Sequence, residues 1–447
     1  MGEKPLLLGI DIGTSKVAAA IVEPDGMCRE SRSVVHGADL ACAPGHAEQD
    51  PHVLLDAARQ VVRDLEPALR QRVEAVGVTG QMHGVVLVDG QGRPVGPLVT
   101  WQDQRCDAAF LEGLQERTGH ALYSGYGCAT LAYAAHSGGL PDGATAACTI
   151  HDLLAAQLVG AARPVTDPTN AAAWGLFDLR TLRWDQPAVE AAGISPAWLP
   201  EIVPCSACIG RLTEEAAETF GMAASIPVAA ALGDNQASLL ATLTDPDHEV
   251  GLTLGTGGQL SVVLPEGFVP GRRGSVPSFE IRPFPGGRYV AVASALCGGA
   301  AWRWLAETAQ AWMIDLGVEP PPLDRLYERL NEVGLAAETS IEMDASLAGE
   351  RHASGRRGCL RGIGVEPMRL GSVARALARG VVRNLRDMLP AEYLVGRRRV
   401  AASGNALRRN LLLRVAASEV LDMPVTLSGH IEEAARGAGM NAGLLLD

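Results

Sequence analysis

The feature that most constrains the fold of this 447-residue chain is a pattern that occurs twice: an apolar run on each side of a Gly/Thr turn. The first copy covers 6–22 and reads LLLGIDIGTSKVAAAIV, and the second covers 249–264 and reads EVGLTLGTGGQLSVVL. Short apolar runs on either side of a turn predict β-hairpins. Because α/β segments follow each hairpin, we predict two similar halves, 1–244 and 245–447, that meet in the polar segment 242–248.

Four other segments carry helix or strand signals. Apolar residues at helical spacing predict a helix over 52–69, with Asp50 near its start, and another over 371–390. The segment 398–421 reads as a strand, a Gly-Asn turn and one helix. The chain closes with 432–446, which reads as a helix rich in small residues.

Composition excludes several classes of protein. A net charge of −13 argues against nucleic-acid binding, because contact with the phosphate backbone needs a basic face. Hydrophobic residues make up 47% of the chain, yet no apolar run reaches the roughly 20 residues that span a bilayer. The N-terminus does not have the pattern of a secretory signal peptide. We therefore expect a globular cytoplasmic protein with neither nucleic-acid nor membrane partners.

The cysteines suggest reduced thiols and no zinc. Nine cysteines are scattered along the chain, and an odd number without a signal peptide is typical of a reducing compartment. Cys205 and Cys208 form a C-x-x-C pattern. A zinc site needs a second such pair or nearby histidines, so we interpret this pair as structural.

The first turn, GIDIGTSK, places a carboxylate beside a glycine-containing loop. It is not a Walker P-loop, because that motif has a Gly-Lys pair and runs into a helix. The backbone N–H groups and hydroxyls of Gly13, Thr14 and Ser15 can face phosphate oxygens. Asp11 suits Mg²⁺, directly or through water, and the alternative is an ordinary carboxylate at a strand end. Lys16 is one of only two lysines in the chain.

The second half offers the same chemistry. Gly255, Thr256 and Gly257 form a turn like the first, and two such turns facing each other would clamp a polyphosphate. The segment SGNAL places Gly404 between a strand and a helix, where a flat base or ribose could lie against the backbone. The alternative for Gly404 is a simple strand-to-helix turn.

A candidate base lies in LGDNQAS, where Asp234 and Asn235 follow an apolar strand and precede a helix. Phosphoryl transfer to a hydroxyl uses a carboxylate to accept the proton and to position the oxygen. Ligands of α/β proteins bind outside the carboxyl ends of the strands, where this break falls. The alternative is that Asp234 only caps the helix.

A polar cluster could bind a sugar. Gln81 and His83 lie between glycines in TGQMHG, amid apolar strand residues, and need a partner there. The segment TWQDQRCD adds Trp101, Asp103 and Arg105, and a sugar packs its C–H faces on such a ring while its hydroxyls bond to the polar groups. The alternatives are a buried backbone partner for Gln81 and His83, and a core role for Trp101.

In this order, the motifs resemble those of the FGGY carbohydrate kinases. The resemblance covers essentially the whole chain and rests on GIDIGTSKVAAAIVE, GQMHGVVLVD, TWQDQR, LGDNQAS, LGTGGQLS, ASGNALRRN and EEAARGAG. It implies an α/β fold of two ribonuclease-H-like domains around an ATP cleft, similar to actin and Hsp70. The N-terminal domain, 1–244, would hold the sugar, the first phosphate motif and the catalytic Asp. The C-terminal domain, 245–447, would hold the second phosphate motif and the adenosine loop.

The resemblance also implies a role for each matching residue. Asp234 is similar to the general base, and Asp11 and Asp234 are candidate Mg²⁺ ligands. The residues similar to the family's ATP site are Asp11, Gly13, Thr14, Ser15, Lys16, Gly255, Thr256, Gly257, Gly299, Gly404 and Asn405. The residues that fall where the family contacts sugar are Gln81, Met82, His83, Trp101, Asp103 and Asn235. The adenosine loop departs from the family's usual Gly-Gly, and Arg408 stands where some relatives carry Asn.

The implied activity is ATP- and Mg²⁺-dependent phosphorylation of a terminal hydroxyl of an open-chain ketose. The segments TWQDQRCD, GYGCATLAY, TIHDLLAAQL, NAAAWGLFD and GERH favour sedoheptulose, with xylulose or another pentulose or polyol as the alternative. An actin- or Hsp70-like ATPase that binds protein would need neither GQMHG nor TWQDQR, and a pseudokinase would not need Asp11 or Asp234. The expected partner is a small sugar, a homodimer is left open, and 350–352 has no assigned mechanism.

Overall fold

The computed structural model describes residues 4–271, 275–276, 278–350, 353, 355–429 and 431–446. The strands of the first half are β1 (Leu6–Ile12), β2 (Lys16–Val22), β3 (Cys28–Val35), β4 (Glu48–Gln49), β5 (Val73–Gly80), β6 (Val86–Val88), β7 (Leu98–Val99), β8 (Ala146–Cys148), β9 (Val165–Thr166), β10 (Phe177–Asp178), β11 (Arg183–Trp184), β12 (Glu201–Ile202), β13 (Cys208–Arg211), β14 (Pro227–Ala229) and β15 (Leu232–Gly233). Its helices are α1 (Pro51–Arg63), α2 (Pro67–Arg70), α3 (Ala108–Thr118), α4 (Gly127–Ser137), α5 (Ile150–Leu158), α6 (Pro168–Trp174), α7 (Gln186–Ala191), α8 (Glu214–Phe220) and α9 (Asp234–Thr242).

The second half continues the same numbering. Its strands are β16 (Glu249–Leu254), β17 (Gly258–Val263), β18 (Ser275–Val276), β19 (Phe279–Phe284), β20 (Arg288–Ala295), β21 (Glu342–Asp344), β22 (Cys359–Arg361), β23 (Arg399–Ser403) and β24 (Val425–Leu427). Its helices are α10 (Gly299–Asp315), α11 (Leu323–Leu335), α12 (Leu370–Met388), α13 (Asn405–Arg409), α14 (Leu411–Leu421) and α15 (Glu433–Gly443). Short 3₁₀ turns cover Pro196–Trp198 and Ala391–Leu394.

Both predicted hairpins are confirmed, and each lies in a large mixed sheet. Strands β1 and β2 pair antiparallel, as do β16 and β17. In the first sheet the order is β13-β14-β5-β1-β2-β3, with β15 also paired to β5, and in the second it is β18-β19-β20-β17-β16-β23-β24. The leading strand of each hairpin pairs in parallel with a later strand, β5 in the first sheet and β23 in the second. The two halves therefore share a topology at their centres.

One predicted helix ends earlier than its apolar spacing suggested, and another is split in two. Helix α1 begins after Asp50, whose side chain accepts from the amide of His52, but it ends at Arg63. Pro67 then starts a separate turn, because proline disfavours helical backbone in the residue before it. The helix predicted within 398–421 is split at Asn410, which has an extended backbone and caps α14 with its side chain.

The last helix lies on the first sheet, although the chain reaches it through the second half. Helix α15 packs against β1, β5, β2 and α9. The backbones come so close that a Cβ built on Gly9 would lie 1.7 Å from the carbonyl oxygen of Ala435. A Cβ on Gly77 would lie 1.9 Å from another carbonyl oxygen of α15, and one on Gly437 would lie 1.7 Å from that of Ala237 in α9. The division at 244/245 stays a prediction, and the structure adds that α15 belongs to the first sheet's core.

Two further features bear on the class of protein. Within the described residues, no helix combines the length and the apolar character that a membrane crossing requires. All nine cysteines are free thiols, as the sequence predicts.

The glycine contacts of α15 predict a loss of stability on substitution. Gly437→Ala should lower the thermal unfolding midpoint by several degrees, because overpacking a closed contact costs about 1–3 kcal/mol or more. The matched control is Gly90→Ala, since a Cβ at Gly90 meets nothing within 4 Å. Circular dichroism during heating measures both variants. Equal midpoints for Gly437→Ala and the unsubstituted protein would contradict the close packing.

Candidate functional site

Two carboxylates meet at one edge of the first sheet. Strand β5 ends at Gly80, which pairs with Ile12 of β1 on one side and with Gly233 of β15 on the other. Both pairings are parallel, so three strands end at the same edge. Asp11 immediately precedes Ile12, and Asp234 immediately follows Gly233. The register therefore brings the two predicted carboxylates together.

The surroundings raise the pKa of both carboxylates. Burial raises the pKa of Asp11 to about 7, the charges of Asp234 and Glu432 add to the rise, and Lys16 opposes it. Burial likewise raises the pKa of Asp234 to about 6, and the guanidinium of Arg282 opposes that rise. A carboxylate that titrates near neutral pH can both accept and release a proton under ordinary conditions.

The carboxylate pair fits a magnesium ion. The Oδ1 atom of Asp11 is buried and has no hydrogen-bond partner among the described residues, which is costly unless a cation or donor compensates it. Mg²⁺ prefers such hard oxygen ligands, and it usually keeps waters and substrate phosphates as its others. Asp11 and Asp234 are the residues that would hold it. Consistent with a site of few protein ligands, no group of three or more His, Cys, Asp or Glu side chains suited to a metal occurs in the described part of the chain.

Lys16 is paired across the sheet edge with the last helix. Its Nζ atom lies 2.5 Å and 2.7 Å from the two carboxylate oxygens of Glu432, the residue before α15. The positive charge beside the first turn is therefore already shared with a carboxylate. The close packing of α15 on the sheet is what places Glu432 there.

A cleft of about 400 Å³ opens beside Asp234. Both halves of the chain contribute to its lining, which consists of Thr14, Met82, His83, Trp101, Asp234, Thr253, Gly255, Thr256, Gly257, Gly258, Gln259, Arg282, Ser294, Ala295 and Leu296. Residues predicted for sugar and residues predicted for phosphate thus meet around one space, with Asp234 among them.

In each glycine turn, one backbone amide forms a hydrogen bond within the turn itself. The N–H of Gly13 donates to the carbonyl of Lys16 at 3.1 Å, and the N–H of Gly255 donates to the carbonyl of Gly257 at 3.0 Å. These two amides therefore do not face a phosphate, because each closes its own hairpin. In the first turn, a phosphate contact of Thr14 and Ser15 stays a prediction.

The second turn is bonded to the start of helix α10. The amide of Gly299 donates to the carbonyl of Gly255 at 2.7 Å, and the amide of Gly298 donates to that of Thr256 at 2.9 Å. Side chains would not fit here, since a Cβ on Gly298 would lie 2.1 Å from the carbonyl oxygen of Gly257. The turn and the helix therefore form one rigid corner.

A second cavity, of about 840 Å³, lies on the other side of this corner. Its lining includes Gly255, Thr256, Gly299, Ala300, Trp302, Arg303, Asp324, Tyr327, Glu328, Asn331, Asn405, Ala406, Arg409, Asn410 and Leu413. Because Gly255 and Thr256 line both spaces, the second turn stands between the sugar-side cleft and this cavity. Its size and its polar rim suit a nucleoside.

The predicted adenosine loop lies at this second cavity. Gly404 has a φ of 91°, and a Cβ there would lie 2.4 Å from the carbonyl oxygen of Leu254, so the position requires glycine. Asn405 follows it and lines the cavity. Arg408 instead pairs with Glu433 at 2.5 Å and is not part of the lining. The side chain of Arg408 is therefore engaged by the last helix and not by this cavity.

On the sugar side, His83 is held in a fixed orientation. Its backbone has a φ of 73°, its ring stacks on Tyr126 with centroids 4.5 Å apart, and its Nδ1 lies 2.6 Å from the carbonyl oxygen of Ala173. Because a carbonyl only accepts, Nδ1 carries the proton of this hydrogen bond.

Hydrogen bonds tie Trp101 and Gln81 to the first turn. The indole N–H of Trp101 donates to Oγ1 of Thr14 at 2.9 Å. Gln81 donates to Gln49 at 2.8 Å, and Gln49 donates in turn to the carbonyl of Thr14, also at 2.8 Å. Oε1 of Gln81 is buried without a partner among the described residues, and Gln81 does not line the cleft. Hydrogen bonds thus connect both segments that were predicted to contact sugar with the first turn.

Asp103 supports the loop that carries Trp101. Its Oδ2 accepts from the amide of Ala47 at 2.8 Å, and its Oδ1 accepts from the side chain of Arg105 at 2.8 Å. Arg105 also bonds to Glu48 at 2.5 Å. Asp103 is fully buried and does not line the cleft, so its direct contact with sugar stays a prediction.

Sequence reasoning missed four polar residues of the cleft: Thr253, Gln259, Arg282 and Ser294. Asn235, predicted to contact sugar, is outside the lining and donates to Gln259 at 2.9 Å, and Gln259 faces the cleft instead. Arg282 also lines the cleft and pairs with Glu280 at 2.8 Å. The available signal was an arginine inside the otherwise mostly apolar strand FEIRPF, because a buried charge there needs a partner.

Two motifs without an assigned role are accounted for in part. The thiol of Cys205 lies 3.0 Å from Oδ2 of Asp167, whereas Cys208 is exposed, which agrees with a structural reading of the pair. Glu350 is fully buried and accepts from Asn384 at 2.6 Å and from the amide of Leu296 at the cleft wall at 3.2 Å. Arg351 and His352 lie outside the described residues.

The chain is similar to carbohydrate kinases along nearly its whole length. Residues 6–241 match the model of the FGGY family of carbohydrate kinases, N-terminal domain. The chain is 32% identical to sedoheptulokinase of Homo sapiens, over 98% of both chains. The xylulose kinase structure of Rhodospirillum rubrum superposes with a TM-score of 0.83 at 23% identity, over 99% of this chain and 90% of that one. Plasmodium falciparum glycerol kinase with ADP gives 0.78 at 19% identity, over 100% and 90%.

These structures confirm the predicted fold of two actin/Hsp70-like domains with mixed sheets. The family match covers more than half of the chain, and the human relative is similar along nearly the whole of it. The chain belongs to the FGGY family of carbohydrate kinases and is a sugar kinase, a phosphotransferase that acts on an alcohol group.

Proposed function

We propose that this sugar kinase transfers the γ-phosphoryl group of ATP to a terminal hydroxyl of an open-chain ketose, with sedoheptulose as substrate and sedoheptulose 7-phosphate as product. The observation that carries the proposal is the place of Asp234, in a cleft whose wall joins His83 and Trp101 to the second glycine turn. The similarity to human sedoheptulokinase supports the choice of ketose.

Asp234 is the base in this mechanism. Its carboxylate accepts the proton of the substrate hydroxyl, the hydroxyl oxygen bonds to the γ-phosphorus, and the bond from that phosphorus to the bridging oxygen of ADP breaks. Burial raises the pKa of Asp234, while the backbone amide of Asn235 and, to a smaller extent, the charge of Arg282 favour its ionised form. The stacked ring of His83 and the indole of Trp101 orient the sugar chain so that its terminal hydroxyl reaches Asp234.

The phosphates of ATP would lie between the two turns. Thr14 and Thr256 line the cleft at the two turns, and the second turn leads into the larger cavity, where Asn405 suits the adenosine. Mg²⁺, held by Asp11 and Asp234, would neutralise phosphate charge. Closure of the two halves would exclude water, which otherwise competes with the sugar as acceptor.

The substrate is tested by ADP release from ATP and Mg²⁺ over a panel of C3 to C7 sugars. We expect sedoheptulose to stimulate ADP release far more than xylulose, ribulose or glycerol, because the chain is similar to human sedoheptulokinase along nearly its whole length. A clear preference for xylulose would move the assignment to a pentulose kinase. ADP release that is independent of any sugar would contradict the proposed reaction.

Asp234→Asn tests the base. We expect turnover to fall at least about 10²–10⁴-fold, the usual contribution of a general base, while ATP still binds with nearly normal affinity. Steady-state kinetics measures the first quantity and titration calorimetry the second. Asp387→Asn is the matched control, since Asp387 is paired with Arg386 away from the cleft. Near-normal turnover of Asp234→Asn would show that Asp234 is not the general base.

The raised pKa of Asp234 predicts that the acid limb of the pH profile of kcat/KM lies at unusually high pH. Protonated Asp234 accepts no proton, so kcat/KM should fall as the pH drops through about 6, whereas an unburied Asp would titrate near 4. Arg282→Gln removes an opposing charge and should move the limb to higher pH. Measurement of kcat/KM from pH 4 to 9 checks both. A limb near pH 4, unchanged in Arg282→Gln, would rule out control by this carboxylate.

A further inference from the structure

The three residues ahead of Asp234 are each held by a buried side chain. The carbonyl of Ala231 accepts from Nδ2 of Asn170 at 3.0 Å, and the amide of Gly233 donates to Oγ1 of Thr169 at 2.9 Å. The carbonyl of Leu232 between them accepts from the hydroxyl of Thr79 at 2.6 Å. Thr79, Thr169 and Asn170 are at most 1% exposed. No water competes for these bonds, so they hold their geometry.

The bond from Thr169 is directional because of a second buried group. The Thr169 hydroxyl donates to Oδ1 of Asp167 at 2.6 Å, and that leaves its lone pair to accept from Gly233. Oδ1 of Asp167 also accepts from the amide of Asn170 at 3.0 Å and so caps helix α6. One carboxylate therefore orients both Thr169 and the helix that carries it.

Asn170 is oriented in the same way. Its Oδ1 lies 2.8 Å from Nε2 of His151. Because the Nδ2 group of Asn170 donates to Ala231, Oδ1 is the acceptor and Nε2 of His151 carries the proton. Burial lowers the pKa of His151 to about 4, so the ring stays neutral and the tautomer is fixed. The amide of Asn170 cannot flip without breaking both bonds.

The geometry points to Thr169 and Asn170 as positioning residues that hold the backbone of 231–233 and thereby set where the carboxylate of Asp234 lies in the cleft. This inference rests on the proposed role of Asp234 as the base. Helix α9 has no side-chain cap of its own, so its first residue depends on the segment before it. A Cβ on Gly233 would lie 2.7 Å from Cε of Met82 in the cleft wall. The backbone at Gly233 therefore has little room to move towards Met82.

The test is Thr169→Val, which keeps the shape and removes the hydroxyl. We expect kcat to fall on the order of 10- to 100-fold, because a misplacement of about 1 Å costs roughly 10²-fold. The KM values for sugar and ATP should change less than about twofold, since Thr169 lines neither space. Thr169→Ser, which restores the hydroxyl, should recover most of kcat. The kcat is expressed per active site, with the sites counted by titration with ATP, because a merely structural role would lower the number of active sites and leave kcat per site unchanged.

The matched control is Thr166→Val, a threonine of the same segment that is equally buried and whose hydroxyl forms no hydrogen bond to 231–233. We expect its kcat to equal that of the unsubstituted enzyme. Thr169→Val is also combined with Asp234→Asn, where it should cause no further loss because Thr169 acts through Asp234. Unchanged kcat in Thr169→Val, or an equal loss in Thr166→Val, would overturn the inference while leaving the proposed function intact. Turnover of no sugar by the unsubstituted enzyme would instead refute the proposed function.

Discussion

The contact between the C-terminal helix and the first sheet is the constraint on which the site depends. At Gly9, Gly77 and Gly437 the backbone of α15 meets that of β1, β5 and α9 without a side chain between them. A helix cannot approach a strand so closely at any residue other than glycine, because even one Cβ would overlap a carbonyl oxygen. This packing ties the two ends of the chain together. It also places Glu432 beside Lys16 and supports α9, whose first residue is Asp234.

Electrostatics follow from this packing. The parallel register of β1, β5 and β15 brings Asp11 and Asp234 to one sheet edge, and their burial there favours the neutral form of each. Lys16 and Arg282 oppose that effect from the two halves of the chain. The pKa values of both carboxyl groups therefore lie near neutral pH. Binding of a cation would favour the ionised form of both. A carboxylate in water would be a weaker base than one held in this way.

The two halves use the same hairpin for different purposes. The first turn is tied through Thr14 to Trp101 and Gln49, and so to the sugar side. The second turn is bonded to the start of α10 and separates the cleft from the larger cavity. A repeated topology thus yields two different surroundings for the same turn, because the partners beyond each turn differ.

The sequence by itself determined the local features: both hairpins, most helix positions, and the polar residues that interrupt apolar runs, such as Asp11 and Asp234. These follow from short-range patterns, since a hairpin or a helix is specified by neighbours in the chain. Only the tertiary structure decided that α15 lies on the first sheet and that Arg282 lines the same cleft as Asp234. It also decided that Thr169 bonds to Gly233, the residue before Asp234. Those contacts join residues that lie far apart in the chain. The register of the sheets and the close packing of glycines create them, and no local pattern encodes either.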